Sequence, residues 1–236
     1  MKKAKYIAGL VTVTATTWLN AQINPGANNI VGGTNSSVAG GDFNSCTPLY
    51  GIVGAGARNT NTAYCATIGG GWRNKAVTDY STIPGGKGAR TRSVGQLAYG
   101  SGTFSGVWGE AQFGLYVLRG SIAGTGTVEL ALDGNTEHIL VPTDASFLFD
   151  IDTVCRSTSV ANGVAGNCFH AKLLVENING ALNLQELANT SILNHSTNLT
   201  ATYFVTNSNF KISGTGEANN TVYWVATVRA TELVKP

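Results

Sequence analysis

The sequence predicts an all-β protein built from an N-terminal arm, a short β-solenoid and a C-terminal β-sandwich of jelly-roll type. Three observations support this fold class. Between residues 28 and 105 an aliphatic or small residue recurs every 15 positions, at Val38, Val53, Ile68, Ile83 and Ala98. The 236 residues include 30 glycines, one methionine and 12% charged residues, which is typical of turn-rich β-proteins. Beyond residue 111, alternating apolar and polar residues are separated by turn signals.

The first segment, residues 1–27, is interpreted as an anchoring arm and linker, with a second interpretation left open. Val11–Thr16 alternates with period two, which favours a strand that adds to the sheet of a neighbouring protein. The alternative is a secretory signal peptide over residues 1–21, because Lys2, Lys3 and Lys5 precede an apolar stretch. N-terminal sequencing distinguishes them, since only a signal peptide yields a mature start near Gln22.

The second segment, residues 28–105, has the fixed short period of a solenoid. Fifteen residues suit two short strands and two turns per coil, with one aliphatic side chain pointing inward. Asn44, Asn59 and Asn74 follow the aliphatic residue by six positions, and we expect them where a turn needs φ > 0 or a side-chain hydrogen bond to its own backbone. One aliphatic residue per coil buries little apolar area, so we expect the roll to pack against copies of itself in a homotrimer.

Two stretches of this segment carry a resemblance to a known family. Ala66–Ala76 and Tyr80–Ala89 resemble the repeating unit of the left-handed β-roll in the heads of trimeric autotransporter adhesins, and the similar rolls of bacteriophage fibres. Gly95–Gly102, followed by Ala111–Arg119, is similar to the junction that leads into the C-terminal domain of phage tail fibres. The resemblance implies a trimeric fibre protein.

The third segment, residues 106–236, begins with a connector that carries Trp108 and continues as nine predicted strands with turns at Asp133-Gly134, Asn162-Gly163 and Asn179-Gly180. The predicted strands are Gln112–Arg119, Thr127–Leu132, His138–Val141, Phe147–Arg156, Cys168–Glu176, Asn183–Leu187, Thr200–Thr206, Phe210–Ser213 and Thr221–Leu233. Strands at roughly ten-residue spacing favour a β-sandwich with its own core.

A run of basic residues in the roll is the candidate contact surface. Asp79 is the one acidic residue within this part of the sequence. In a trimer the basic residues form a belt that suits an acidic surface polysaccharide or an acidic patch on a virion protein, although they equally suit a solvated surface. The candidate residues are Arg58, Arg73, Lys75, Lys87, Arg90 and Arg92, with Trp72 and Trp108.

Other chemistry-bearing residues give weaker signals. Glu129, Asp144, Asp150 and Asp152 are candidate carboxylates for glycoside hydrolysis, but a solvated strand face explains them more simply. The histidines, which are His138, His170 and His195, have no metal-binding spacing, so no metal, cofactor or catalytic residue is predicted. Cys155 and Cys168 flank a predicted hairpin turn and are a candidate disulfide; Cys46 and Cys65 are a second pair.

These features predict a non-enzymatic structural protein of a bacteriophage virion. It is expected to attach to capsid or tail proteins through its N-terminal arm, as a short tail fibre or a capsid decoration (a head fibre). The C-terminal domain then serves host attachment or particle stabilisation, with host polysaccharide as a further partner. No nucleic-acid binding and no membrane insertion are expected. The alternatives are a secreted bacterial surface adhesin or matrix protein, and a small polysaccharide-degrading spike.

Overall fold

The computed structural model describes residues 26–158, 166–194 and 196–235. Within these ranges the protein is all-β, with no helix, and its N-terminal half is a β-solenoid of about five turns. None of the described residues belongs to a helix that is long and apolar enough to span a membrane. The predicted arm or signal peptide, the Asn162-Gly163 turn and His195 lie outside the described residues.

Short parallel strands stacked 15 residues apart build the solenoid. Val38 pairs with Val53, and Ile68 pairs with Ile83, so each coil lies in exact register on the next. The odd-numbered strands β1 to β7 form one sheet, and the even-numbered strands β2 to β10 belong to the other. The strands are β1 (Ile30–Val31), β2 (Ser37–Val38), β3 (Ser45–Cys46), β4 (Ile52–Val53), β5 (Thr60–Asn61), β6 (Thr67–Ile68), β7 (Lys75–Ala76), β8 (Thr82–Ile83), β9 (Gly86–Lys87) and β10 (Leu97–Ser101).

The aliphatic column predicted from the repeat forms the core of the roll. Val38, Val53, Ile68, Ile83 and Ala98 are all fully buried, which confirms that prediction. They pack with small residues of the opposite sheet and of the turns, which are Cys46, Ala63, Ala66, Ala76 and Ala89. The core is therefore only one or two small side chains wide.

The asparagines have one of the two roles predicted for them. Asn44, Asn59 and Asn74 are fully buried and none has a positive φ, but their side chains bond to the backbone of their own turns. Each side-chain oxygen accepts a hydrogen bond from the backbone N–H one coil further on; the Asn59 N–H lies 3.0 Å from Asn44 Oδ1. Each side-chain amide donates to carbonyl oxygens of its own turn and of the next coil. The asparagines therefore form an internal ladder that ties successive coils together.

One glycine per coil is required by backbone geometry. Gly41, Gly56, Gly71 and Gly86 have φ angles of 85–92°, which are unfavourable for any residue with a Cβ atom. A Cβ atom added to Gly71 would also lie 2.1 Å from the carbonyl oxygen of Gly86 in the next coil. The glycine pattern of the sequence thus reflects the close spacing of the coils.

The C-terminal half contains a large antiparallel sheet and a smaller sheet. The large sheet continues the even-numbered sheet of the roll, in the order β16-β15-β14-β19-β11-β10, and the smaller sheet has the order β12-β18-β13 with β17 paired to β18. The strands are β11 (Ala111–Ala123), β12 (Thr127–Leu130), β13 (Ile139–Leu140), β14 (Ala145–Ser157), β15 (Cys168–Ile178), β16 (Ala181–Leu193), β17 (Ala201–Thr206), β18 (Asn209–Thr215) and β19 (Thr221–Val234).

The two sheets enclose a second buried cluster. Phe149 stacks on Phe210 of the smaller sheet, with ring centroids 4.5 Å apart, and Trp224 stacks on Phe169. The nine strands agree with the predicted ones, except that β16 is much longer than the predicted Asn183–Leu187. The boundary between the roll and the C-terminal unit at residue 105 stays a prediction.

Candidate functional site

The basic residues of the roll lie mainly along one of its two edges. The turns at this edge follow the even-numbered strands, and bridges connect Asp42 to Ala57, Ala57 to Trp72 and Trp72 to Lys87. Because paired strands lie about 4.8 Å apart, residues at equivalent positions form a column along the roll. The sequence period therefore becomes a straight edge.

Large side chains occupy strained positions on this edge. Phe43, Arg58 and Arg73 have φ angles of 54–59°, in the left-handed region. The equivalent residues at the two ends of the column are Asn28 and Gly88, which adopt this conformation at little cost. A bulky residue costs about 1 kcal/mol or more at such a position. The central coils thus keep large side chains where glycine or asparagine would be more stable.

Two indoles and three cations alternate in one stack. The Lys87 ammonium lies 4.9 Å from the Trp72 ring centroid, and the Arg73 guanidinium lies 5.2 Å from it. Arg73 also lies 5.1 Å from the ring of Trp108 in the connector, and Lys75 lies 5.2 Å from that ring. Cation–π contacts of this kind hold a charged group in place without neutralising it.

We name this surface the basic ridge. It consists of Phe43, Arg58, Trp72, Arg73, Lys75, Lys87 and Trp108. At its far end the Arg58 guanidinium lies 5.9 Å from the Phe43 ring. The connector is fixed to the ridge, because Arg73 Nη2 donates to the carbonyl oxygen of Gly106 at 3.1 Å.

The ridge carries uncompensated positive charge. Among the described residues, none of its four cations forms an ion pair. Asp79 lies at the opposite edge of the roll, where its Oδ1 accepts the backbone N–H of Tyr64 at 3.0 Å. Asp42 is the acidic residue at the ridge edge and also forms no ion pair within the described ranges. The edge is therefore suited to an anionic ligand.

The opposite edge bears an aromatic column that the sequence analysis missed. Tyr64 packs edge to face against Tyr50 and Tyr80, with ring centroids 5.9 and 5.6 Å apart. Tyr50 and Tyr80 are equivalent positions two coils apart, but Tyr64 precedes the equivalent position by one residue. That one-residue shift hides the column from a search for strict 15-residue spacing.

Two of the predicted contact residues lie away from the ridge. The backbone N–H and carbonyl groups of Arg90 bind the side chain of Gln112, at 2.9 and 2.8 Å. The Arg92 side chain is 8% exposed and forms an ion pair with Glu232, 3.3 Å away. Arg92 thus belongs to the interior of the junction between the roll and the large sheet and does not contribute to a contact surface.

Glu232 is the centre of this buried junction. Its Oε1 accepts hydrogen bonds from the Tyr116 hydroxyl at 2.5 Å and the Gln96 amide at 2.9 Å. Its Oε2 accepts hydrogen bonds from the Gln112 amide at 2.6 Å and from the Arg92 guanidinium. Burial raises the pKa of the Glu232 carboxyl, and the Tyr116 hydroxyl is the first of several groups that oppose this effect. Burial also disfavours the charged form of Arg92, and it therefore lowers the pKa of the guanidinium. The network joins the last coil to β11 and β19.

The candidate carboxylates are engaged in local contacts. Arg229 Nη2 lies 3.1 Å from Asp150 Oδ1 and 3.2 Å from Asp152 Oδ2, and His170 Nδ1 lies 3.0 Å from Asp152 Oδ1. These side chains are about half exposed and sit on an open strand face.

The other two carboxylates are also held locally. Glu129 binds Lys211 at 2.8 Å and His138 at 3.3 Å, and Asp144 accepts the backbone N–H of Asn179. Within the described ranges, no group of three or more histidine, cysteine or acidic side chains is placed to hold a metal ion.

The predicted disulfide is contradicted by the register of β14 and β15. All four cysteines are free thiols. Cys168 pairs with Val154, so Cys155 is one residue out of register with it. Successive side chains of a strand point to opposite faces; Cys155 points into the core and Cys168 points outward. The second candidate pair is also unbonded, with Cys46 buried inside the roll.

Comparisons with known proteins give structural likeness only. No family model and no curated protein matches the chain. Similar solved structures include three phage tailspike proteins: gp49 of Acinetobacter baumannii bacteriophage Fri1, a capsular polysaccharide depolymerase, and those of Acinetobacter phage vB_ApiP_P1 and Acinetobacter baumannii phage AM24. Their sequence identities are 11%, 12% and 10%, and their TM-scores are 0.29, 0.30 and 0.28. The matches cover 84%, 89% and 83% of this chain but 41%, 47% and 49% of the tailspikes.

The comparison corrects one prediction. The sequence predicts no enzymatic activity, and the description of the Fri1 tailspike as a capsular polysaccharide depolymerase contradicts that prediction. The chain spans less than half the length of these tailspikes.

Proposed function

We propose that this chain is a subunit of a homotrimeric fibre on a bacteriophage particle and that its basic ridge binds an acidic polysaccharide of the host surface. The observation that carries the proposal is the ridge itself, in which four cations lie along one edge and form no ion pair with any described residue. An extended anionic polymer with regularly spaced charges fits such an edge better than a small ligand does.

The alternating stack explains how the ridge would bind. The cations of Lys87 and Arg73 lie 4.9 and 5.2 Å from the Trp72 ring centroid, so this indole serves to position cations. A side chain held before binding loses less conformational entropy when the ligand arrives. The indole of Trp72 is still 38% exposed, and its edge is available to the apolar C–H surface of a sugar ring.

The trimer and the phage setting are supported by the thin core of the roll and by the resemblance of its repeats to phage fibres. Three ridges on one rod would bind one polymer surface with a gain from effective concentration, even when each site is weak. The N-terminal residues would attach the rod to a capsid or tail protein, as a head fibre or a short tail fibre. The proposed location is the virion surface.

Replacing Arg58 and Lys87 together with glutamine is expected to weaken binding to an acidic polysaccharide about tenfold at low salt, as for the loss of two partly exposed charge contacts. In the part of the chain that the structure describes, the charged groups of Arg58 and Lys87 interact only with their aromatic neighbours, so the fold should be retained. The loss of binding is measured as retention on immobilised polyglucuronate over a range of salt concentrations.

Arg156→Gln is the matched control, because Arg156 is an exposed cation near the end of β14 that lies away from the roll. Equal retention of the double variant and the wild-type protein would contradict the proposed role of the ridge. The length of the polymer is followed in the same samples, so that shortening of its chains would reveal cleavage as well as binding.

A further inference from the structure

The large sheet of the C-terminal unit has one covered face and one bare face. Its inner face packs against the smaller sheet. Its other face, which we name the outer face, is formed by the outward side chains of β11, β14, β15, β16 and β19. No described residue of the chain forms a layer over it.

The outer face is far more apolar than a solvated sheet face. An antiparallel sheet with one side in water normally alternates apolar residues inward and polar residues outward. Here large apolar side chains are 40–55% exposed on three of its central strands. They include Phe113 and Val117 on β11, Val154 on β14, and Tyr223, Val225 and Leu233 on β19. An exposed apolar surface of this extent indicates a binding partner.

The charges on this face are balanced at its centre. Arg229 bridges Asp150 and Asp152, and His170 contacts Asp152. Lys172 pairs with Asp150 in the strand register, so two acidic residues face two permanent cations. A surface with no net charge neither repels its own copy nor attracts a strongly charged polymer. Paired charges also cost less to bury than single ones.

We propose that the outer face is the surface through which copies of this chain assemble. This assignment rests on the homotrimer of the proposed function and names where its subunits meet. The size of the face fits that role. Five strands about 4.8 Å apart, with 11–14 residues each, present on the order of 800–1,000 Å². A stable interface needs about 800 Å² from each partner.

Arginine at two apolar positions of the outer face tests the assignment. Val117 and Val154 are 51% and 53% exposed, so Val117→Arg with Val154→Arg alters the surface and not the core. The wild-type protein is expected to have about three times the 24.5 kDa mass of one chain in sedimentation equilibrium. The double variant is expected to have the mass of a single chain. Phe104→Arg is the control, because Phe104 follows β10 outside the outer face and is 69% exposed, and it should leave the mass unchanged.

Cys168 gives a second measurement, which does not depend on the mass. This thiol is partly exposed beside Val154, Ile192 and Val225 on the outer face. It should react with a thiol reagent at least tenfold more slowly in the assembled wild-type protein than in the single variant Val117→Arg, whose new charge lies on β11, away from the thiol. The partly exposed Cys65 of the roll serves as the internal standard in both.

Three results would overturn the assignment: a double variant that keeps the wild-type mass, a Cys168 that reacts equally fast in the wild-type protein and the Val117→Arg variant, or a wild-type protein that sediments as a single chain. The proposed polysaccharide binding is tested separately, with a short acidic oligosaccharide that reaches one ridge at a time. The monomeric variant should bind this oligosaccharide with unchanged affinity. A failure of the ridge and a failure of the interface are therefore distinguishable.

Discussion

Replacing Glu232 with alanine is expected to lower the free energy of unfolding by about 3–5 kcal/mol, because it leaves the Arg92 charge buried without its partner. Three further donors, on Gln96, Gln112 and Tyr116, lose the same acceptor. These residues belong to the roll and to the large sheet, so the loss should also loosen the connection between the two. Urea denaturation, followed by tryptophan fluorescence, checks the expected change.

Glu137→Ala is the control for this variant, since Glu137 is an exposed carboxylate, and it should change stability by less than about 0.5 kcal/mol. The pH dependence adds a second readout. Because burial raises the pKa of Glu232 in the folded protein, its stabilising effect is fully present below the pKa of the unfolded chain and decreases as pH rises through the raised pKa. The difference in free energy of unfolding between the wild-type protein and the alanine variant should therefore shrink as pH rises over that range. A difference that stays constant with pH would contradict this expectation.

Replacing Asn59 with leucine is expected to cost about 2–4 kcal/mol, although leucine has a similar size and is more apolar. The fully buried side chain of Asn59 accepts the backbone N–H of Asn74 and donates to carbonyl oxygens of Ala55 and Gly71. Leucine leaves the buried Asn74 N–H without a partner and also removes the side-chain bonds to the two carbonyl oxygens, although the Gly71 carbonyl keeps the Ala57 N–H. An unsatisfied buried group costs about 1–3 kcal/mol, and each lost hydrogen bond adds about 1 kcal/mol.

Thr60→Ala tests the same coil without disturbing the ladder, because the Thr60 side chain points outward from β5. It should have little effect on the midpoint of thermal unfolding, whereas Asn59→Leu should lower it by several degrees. If both variants melt at the same temperature, the asparagine ladder does not hold the coils together.

Local repetition made the solenoid predictable. The inward aliphatic residue and the glycine of each coil are set by the period itself, and both lie where the sequence indicates. The asparagine pattern was visible too, but a repeat does not distinguish a turn residue from a buried one. Only the structure shows that the left-handed positions belong to the preceding residues, such as Arg58 and Arg73, and that the asparagines bond between coils.

The junction and the outer face could not be predicted, because both depend on contacts between residues far apart in the chain. Arg92 and Glu232 are separated by 140 residues, and nothing near Arg92 distinguishes it from the cations of the ridge. The cysteine prediction was wrong for a related reason. A hairpin brings Cys155 and Cys168 close together, but a register shift of one residue turns the two thiols to opposite faces.

The ridge was only partly predictable. Charge and spacing indicated the basic residues, and the period placed Arg58 and Arg73 in one column. The insertion of Trp108 between Arg73 and Lys75 depends on the path of the connector, which the repeat does not specify. The sequence therefore predicted the charges of the ridge but not the stacking that fixes them.

The most direct test of the account compares the binding of the wild-type protein to polyglucuronate and to the same polymer with its carboxyl groups reduced to alcohols. The two ligands share length and sugar rings and differ in charge. The reduced polymer is expected to bind at least tenfold more weakly, and only binding of the charged polymer should weaken as salt is added. Equal affinity for the two polymers would contradict the assignment of the ridge as an anion-binding surface.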